Sequence, residues 1–309
     1  MSQLAFVFPG QGSQSMGMLA ELAAEHVAVK ATFREASDAL GVDLWALAQE
    51  GPEAQLNKTE NTQPVLLAAG VAVFRAWQTA GGAAPAYLAG HSLGEYTALV
   101  AAGVVSLADG VRLVAERGRL MQQAVPEGEG AMAAILGLDD EVVRQCCAEA
   151  SAKGVVEAVN FNAPGQVVIA GTSSAVSAAI EKLKAAGAKR ALPLPVSVPS
   201  HCALMRPAAE QMKVSLDAVA FNAPVIPVLQ NVSARIEPDV PSIRDALVRQ
   251  LYSPVLWVQT IEALANHGVV RVLECGPGKV LCGLNKRIAK DMECAALETA
   301  EGFRAALAG

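Results

Sequence analysis

Short apolar runs alternate with helical patterns from the start of the chain. LAFVF has the length of a strand, ends in a Gly-rich turn, and is followed by MGMLAELAAEH with helical spacing. The same succession returns in AYLAG then LGEYTALVAAG, and in VVRVLEC then KVLCGLNKRIAK. Strands this uniformly apolar, each followed by a helix, predict a mostly parallel sheet covered on both faces. Residues 128–197 read differently. AMAAILG, DDEVVRQCCAEASAKG, VVEAVNF, QVVIAGT, SSAVSAAIEKLKAAG and AKRALPLPV give the order β-α-β-β-α-β, the split unit of ferredoxin-like folds. PEGEG and LPLPVSVP punctuate its two ends. The expected organisation is an α/β protein with a large subdomain, 1–127 and 198–309, and a small ferredoxin-like subdomain, 128–197, inserted into it. Such an insertion implies a cleft between the two.

Composition narrows the function classes. The chain has 309 residues, 52% of them hydrophobic and 4% aromatic, enough to bury a large core in the manner of an α/β enzyme. A net charge of −6 with no long basic run argues against nucleic-acid binding. No apolar stretch escapes Gly or Pro long enough to span a membrane, and MSQLAFVFPGQG has no basic n-region, so neither a membrane span nor a signal peptide is expected. Six cysteines show no CxxC pair and no zinc spacing, which fits reduced thiols in a cytoplasmic protein with no metal site. Nothing in the pattern demands more than a monomer.

The candidate chemistry centres on Gly90-His91-Ser92-Leu93-Gly94. The pentapeptide G-x-S-x-G gains meaning from its context, since a strand ends at Gly90 and a helix begins at once after Ser92. At such an elbow a serine hydroxyl stands exposed near the positive end of the helix, and the Leu93 N–H is free to hold an oxyanion. A plain helix cap is the structural alternative. A nucleophilic serine needs a base, and the chain has four histidines. His26 falls on a polar helix and is expected to be solvated. His91 is turned away from Ser92 by the elbow, and His267 sits at a helix C-terminus that a cation complements. His201, at a loop-to-helix junction in VSVPSHCALM, remains. No acid stands out to orient it, but the helix SIRDALVRQ ends near Gln250 and leaves unpaired carbonyls there.

A helix capped by Ser106, with Asp109 three positions on, places Leu107, Val111, Val114, Gly118, Met121 and Val125 on one face. Arg117 falls inside this apolar arc. A buried guanidinium requires an anion, either an internal Asp or Glu or the carboxylate of a ligand. The turn FPGQGSQSMG lacks the G-K-[ST] of a phosphate loop, so nucleotide binding is not expected. Its backbone N–H groups near Gln11 nevertheless lie at the carboxyl end of the sheet, where a second oxyanion donor fits.

FPGQGSQ, GHSLGE, ERGRLM, NFNAPGQVVIAG, VPSHCALM and ECGPGKVL, in this order from residue 4 to about residue 300, resemble the malonyl-CoA:acyl carrier protein transacylases. The resemblance implies a hydrolase-like core with the inserted small subdomain. It implies a dyad of Ser92 and His201, the histidine oriented by the Gln250 carbonyl, and an oxyanion hole of the Gln11 and Leu93 N–H groups. Arg117 would then bind the malonyl carboxylate. The implied substrates are malonyl-CoA and an acyl carrier protein, with no cofactor. For an acidic carrier, Lys189, Arg190, Lys286, Arg287 and Lys290 are the candidate contacts. Two rivals follow from the sequence: an esterase using Ser92, Asp239 or Asp245, and His267 in hydrolase order, and a non-catalytic acyl-binding module.

Overall fold

The computed structural model describes residues 3–196 and 198–309; the expected end of the small subdomain, Ser197, lies outside them, as do Met1 and Ser2. Along the chain run β1 (Gln3–Phe8), α1 (Ala20–Glu25), α2 (Val27–Leu40), α3 (Leu44–Glu50), α4 (Glu53–Leu56) and α5 (Thr59–Thr79). β2 (Tyr87–Gly90), α6 (Leu93–Ala101) and α7 (Leu107–Ala124) follow. Next come β3 (Gly130–Leu136), α8 (Asp140–Ala150), β4 (Val156–Ala163), β5 (Gln166–Thr172), α9 (Ser173–Ala185) and β6 (Arg190–Pro193). The remainder holds α10 (Arg206–Asp217), β7 (Val228–Leu229), α11 (Val240–Gln250), α12 (Trp257–Asn266), β8 (Val269–Glu274), α13 (Val280–Ile288), β9 (Glu293–Ala296) and α14 (Ala300–Ala308).

Two sheets organise these elements. The first, in the order β7-β2-β1-β8-β9, is parallel throughout. Phe6, Phe8 and Leu88 pack on one face against α2, α5 and α7, while Ala5, Val7 and Val272 meet Trp257 and Ile261 of α12 and Leu281 of α13 on the other. Both faces are therefore buried, as uniformly apolar strands require. The second sheet is antiparallel, in the order β4-β5-β3-β6, and α8 and α9 cover it around Ile135, Val143, Ile169 and Leu183. Its β4 is pinned to the segment before α12, since Phe161 N–H donates to the Val255 carbonyl (3.0 Å) and Val255 N–H to that of Val159 (2.8 Å).

Two predicted elements are shorter than their patterns. The helix expected over MGMLAELAAEH begins only at Ala20, because Gly17 and Leu19 take left-handed backbone (φ 78° and 61°). The strand expected over AKRALPLPV closes at Pro193, where Pro193 and Pro195 have no N–H to give to a ladder.

Candidate active site

The elbow forms as the pentapeptide predicts, and its glycines explain themselves sterically. A Cβ on Gly90 would fall inside the backbone of Gly94, and one on Gly94 inside the Phe8 carbonyl. β1, β2 and α6 thus converge more closely than any side chain permits. Ser92 turns the chain between them at φ 53°, ψ −110°, a left-handed strain seldom tolerated outside functional sites.

Ser92 Oγ lies 2.8 Å from His201 Nε2, and His201 Nδ1 lies 2.7 Å from the Gln250 carbonyl oxygen. A carbonyl only accepts, so Nδ1 carries the proton and the Nε2 lone pair faces the serine hydroxyl. His201 also has left-handed backbone, φ 66°, held by its N–H donating to the Leu251 carbonyl at 3.0 Å. Burial first, and the field of Arg117 second, hold its pKa down at about 3, so the imidazole is neutral across the physiological range. The N–H groups of Gln11 and Leu93 make no hydrogen bond among the described residues. Gln11, Ser92, Leu93, Arg117 and His201 all line one cavity of about 620 Å³, whose far wall is Met132, Asn160, Asn162 and Val168 of the antiparallel sheet.

Arg117 decides what the cavity is built to hold. It is 1% exposed. Its Nη1 donates to Gln63 Oε1 (2.8 Å), and its Nη2 to Gln250 Oε1 (2.9 Å) and Ser92 Oγ (3.3 Å). Ten ion pairs occur among the described residues, and none includes Arg117. Two neutral amides clamp the guanidinium. Of the two anions left open by the sequence, no internal carboxylate touches the guanidinium directly, and the charge points at Ser92.

A family model described as the acyl transferase domain matches residues 5–302. The chain belongs to this acyl transferase family. Among its relatives, the malonyl CoA-acyl carrier protein transacylase of Escherichia coli is 60% identical, with 99% of each chain covered. That of Bacillus subtilis is 46% identical over 99% of this chain and 97% of its own. A crystal structure of malonyl-CoA:acyl carrier protein transacylase from Xanthomonas oryzae superposes with a TM-score of 0.98 at 56% identity, covering 100% of this chain and 98% of its own. A malonyl-transacylase in a structure of a type II PKS acyl-carrier protein in complex with it matches with the same score and identity, over 99% of each chain.

The rival triad does not assemble in this acyl transferase. Asp239 caps α11, Asp245 pairs with Arg249, and the His267 ring stacks on Tyr87. His26 is only partly solvated, because its ring packs against Phe303 at 4.5 Å and its Nε2 is buried. His91 lines the cavity but binds Asn162 Oδ1 (2.8 Å) instead of Ser92. All five basic candidates for carrier contact are exposed, and Arg287 is also tied to the Pro164 carbonyl at 2.9 Å.

Four polar residues of the site escaped the sequence reading. Gln63 clamps Arg117, and Asn162 orients His91. Asn231 accepts from Ser92 N–H through Oδ1 (2.7 Å) and donates through Nδ2 to the Gly90 carbonyl (2.6 Å), which braces the elbow. Glu95, fully buried on α6, accepts from Asn231 N–H (2.8 Å) and Gln250 Nε2 (3.0 Å). Only Glu95 left a signal, a charged residue inside the apolar helix LGEYTALVAA. The others lie far from Ser92 in the chain, and nothing local announces them.

Proposed function

We propose that this acyl transferase carries a malonyl group from malonyl-CoA to the phosphopantetheine thiol of an acyl carrier protein, through a malonyl ester on Ser92, supplying fatty-acid synthesis. One observation carries the reading: a buried guanidinium that no internal carboxylate touches lies 3.3 Å from the serine hydroxyl. An acyl group bearing its own carboxylate completes that site, whereas acetyl leaves the guanidinium without a direct carboxylate partner.

The steps follow from the geometry. Ser92 Oγ attacks the thioester carbonyl as its proton passes to His201 Nε2. The Gln11 and Leu93 N–H groups receive the oxyanion, each contributing roughly 3 kcal/mol. The thioester C–S bond breaks, and the CoA sulfur leaves with the proton from His201. The carrier's thiol then gives its proton to His201 and attacks the malonyl ester, and Ser92 recovers its proton as it departs. Arg117 has a second effect here. Its field is one cause of the low basicity of His201, and a malonyl carboxylate paired with it cancels that field. The preferred substrate thereby makes the base stronger on arrival.

The cavity lies between the parallel sheet and residues 128–197, the inserted subdomain of this reading. Six free cysteines support a reducing, cytoplasmic setting, and among the described residues no helix is long and apolar enough to cross a membrane.

Intact-protein mass spectrometry after mixing with malonyl-CoA, then with holo carrier protein, tests the proposal. A malonyl adduct that maps to Ser92 and discharges onto the carrier is the expected result. Decay to free malonate at the same rate with or without carrier would make the protein a hydrolase, and no adduct at all would return Ser92 to a helix cap.

A further inference from the structure

Behind the guanidinium lies a second buried charge that the transfer steps do not use. Glu95 is 0% exposed, and both of its hydrogen bonds fall on Oε2, leaving Oε1 buried with no partner. Gln250 stands between it and Arg117. The amide orientation is fixed by its neighbours, because Nε2 faces two acceptors, Glu95 Oε2 (3.0 Å) and the Ser92 carbonyl (2.9 Å), while Oε1 faces the Arg117 donor (2.9 Å). Carboxyl, amide dipole and guanidinium therefore align head to tail. The Gln250 backbone carbonyl meanwhile holds His201.

We propose that Glu95 is the internal counter-charge of Arg117, acting through the Gln250 side chain, and that capture of a malonyl carboxylate at Arg117 draws a proton onto Glu95. Two carboxylates then compete for one buried guanidinium. When the ligand's carboxylate pairs directly, a second negative charge one amide away is no longer balanced, and protonation at the unpartnered Oε1 relieves it. Glu95 touches no reacting atom, so it is a positioning residue whose charge sets how strongly the site accepts malonyl.

The surroundings permit this. Burial pushes the Glu95 carboxyl up to about 7, against the pull of the Asn231 N–H, the Gln250 amide and Arg117. The charged and titratable groups that reach it are Arg117 from α7, Glu237 from the loop before α11, and Tyr96 on its own helix. The buried residues that α5, β1 and β2 contribute carry no ionisable side chain. His201 and His91 are both held below the ordinary histidine range by burial, so neither takes up the proton in question. The sign follows from linkage. Binding that takes up a proton weakens as pH rises through the free-enzyme pKa, by at most about tenfold per pH unit.

The inference rests on the malonyl reading, and the experiment separates the two. Ser92→Ala protein is titrated with malonyl-CoA by calorimetry between about pH 6 and pH 9, in buffers of different ionisation enthalpy. Acetyl-CoA carries the same phosphates and corrects for their ionisation. The expected result is net proton uptake with malonyl-CoA alone, together with an affinity that falls several-fold above about pH 7. Glu95→Gln, which keeps the length and the acceptor oxygen, abolishes both the uptake and the pH slope while still binding malonyl-CoA. Malonyl-CoA binding without proton uptake in the Ser92→Ala protein overturns the role of Glu95, whether or not the Glu95→Gln variant folds. Malonyl-CoA binding no tighter than acetyl-CoA at any pH overturns the malonyl reading itself.

Discussion

Ser92 and His201 share left-handed backbone, and each is braced from outside its own element, Ser92 by Asn231 and His201 by Leu251. The strain persists because the surroundings over-determine it. In the proposed function, Arg117 is the residue at which binding and chemistry meet. Replacing it with Ala removes the carboxylate partner and also one cause of the low basicity of His201. Malonyl transfer is expected to fall about a hundredfold or more, the cost of a ligand carboxylate left unpaired in a dry cavity. Acetyl transfer, which gains nothing from the guanidinium, is expected to hold or rise. The ratio of kcat/KM for the two thioesters reads this directly, and an unchanged ratio in the variant would refute the assignment. The singular position of Arg117 was legible in the sequence, since a charge inside an apolar arc needs only the helical period to be noticed. Its clamps were not. Gln63 and Gln250 lie 54 and 133 residues away, a separation that no local pattern spans.

At the scale of elements, the strand–turn–helix at Ser92 shows why the pentapeptide keeps both glycines. Gly94→Ala would drive a Cβ into the Phe8 carbonyl, where the neighbour is backbone and cannot step aside. The expected cost exceeds ~3 kcal/mol, with loss of soluble protein or of a cooperative urea transition. Gly283→Ala on α13 is the contrast. Its Cβ meets nothing within 4 Å, so the same exchange there is expected to stabilise by about 0.5–1 kcal/mol. Comparable urea midpoints for the two variants would show that the close approach of β1 and α6 is not what the glycine serves. Amphipathic helices such as α7, α8 and α9, and a short apolar run closed by a turn such as β1, were readable from the chain. The 21 residues of α5 were not, because its stretch from Val65 to Phe74 is buried on every side and has no polar face to mark a period. α5 nonetheless supplies Gln63 and passes so close to α7 that Gly118, beside Arg117, touches the Thr59 carbonyl where a Cβ would be.

For the molecule as a whole, placing the chemistry between two sheets buries titratable groups that solvent would otherwise hold at ordinary values, and acid should reveal them. His201 has a folded-state pKa of about 3, below the ~6.5 of an unfolded histidine. Below ~6.5 the unfolded chain binds the proton that the folded protein refuses, so this group's contribution to stability is full above that pH and drains away down to the folded value. His91, also lowered by burial, drains in the same direction. Glu95 acts oppositely. Its folded pKa of about 7 lies above the ordinary 4.5, so the folded state takes up the proton first and gains stability as pH falls between the two values. The windows overlap, and the wild-type protein is expected to lose little stability from about pH 7 to pH 5 and then fail steeply below the Glu95 window. A difference measurement isolates the base. The stability gap between wild type and His201→Gln, from urea denaturation at several pH values, is expected to shrink by up to ~1.4 kcal/mol for each pH unit below ~6.5. Parallel stability curves for the two proteins would mean that His201 charges freely in the folded state, and a histidine that charges freely is not the neutral base that Ser92 requires.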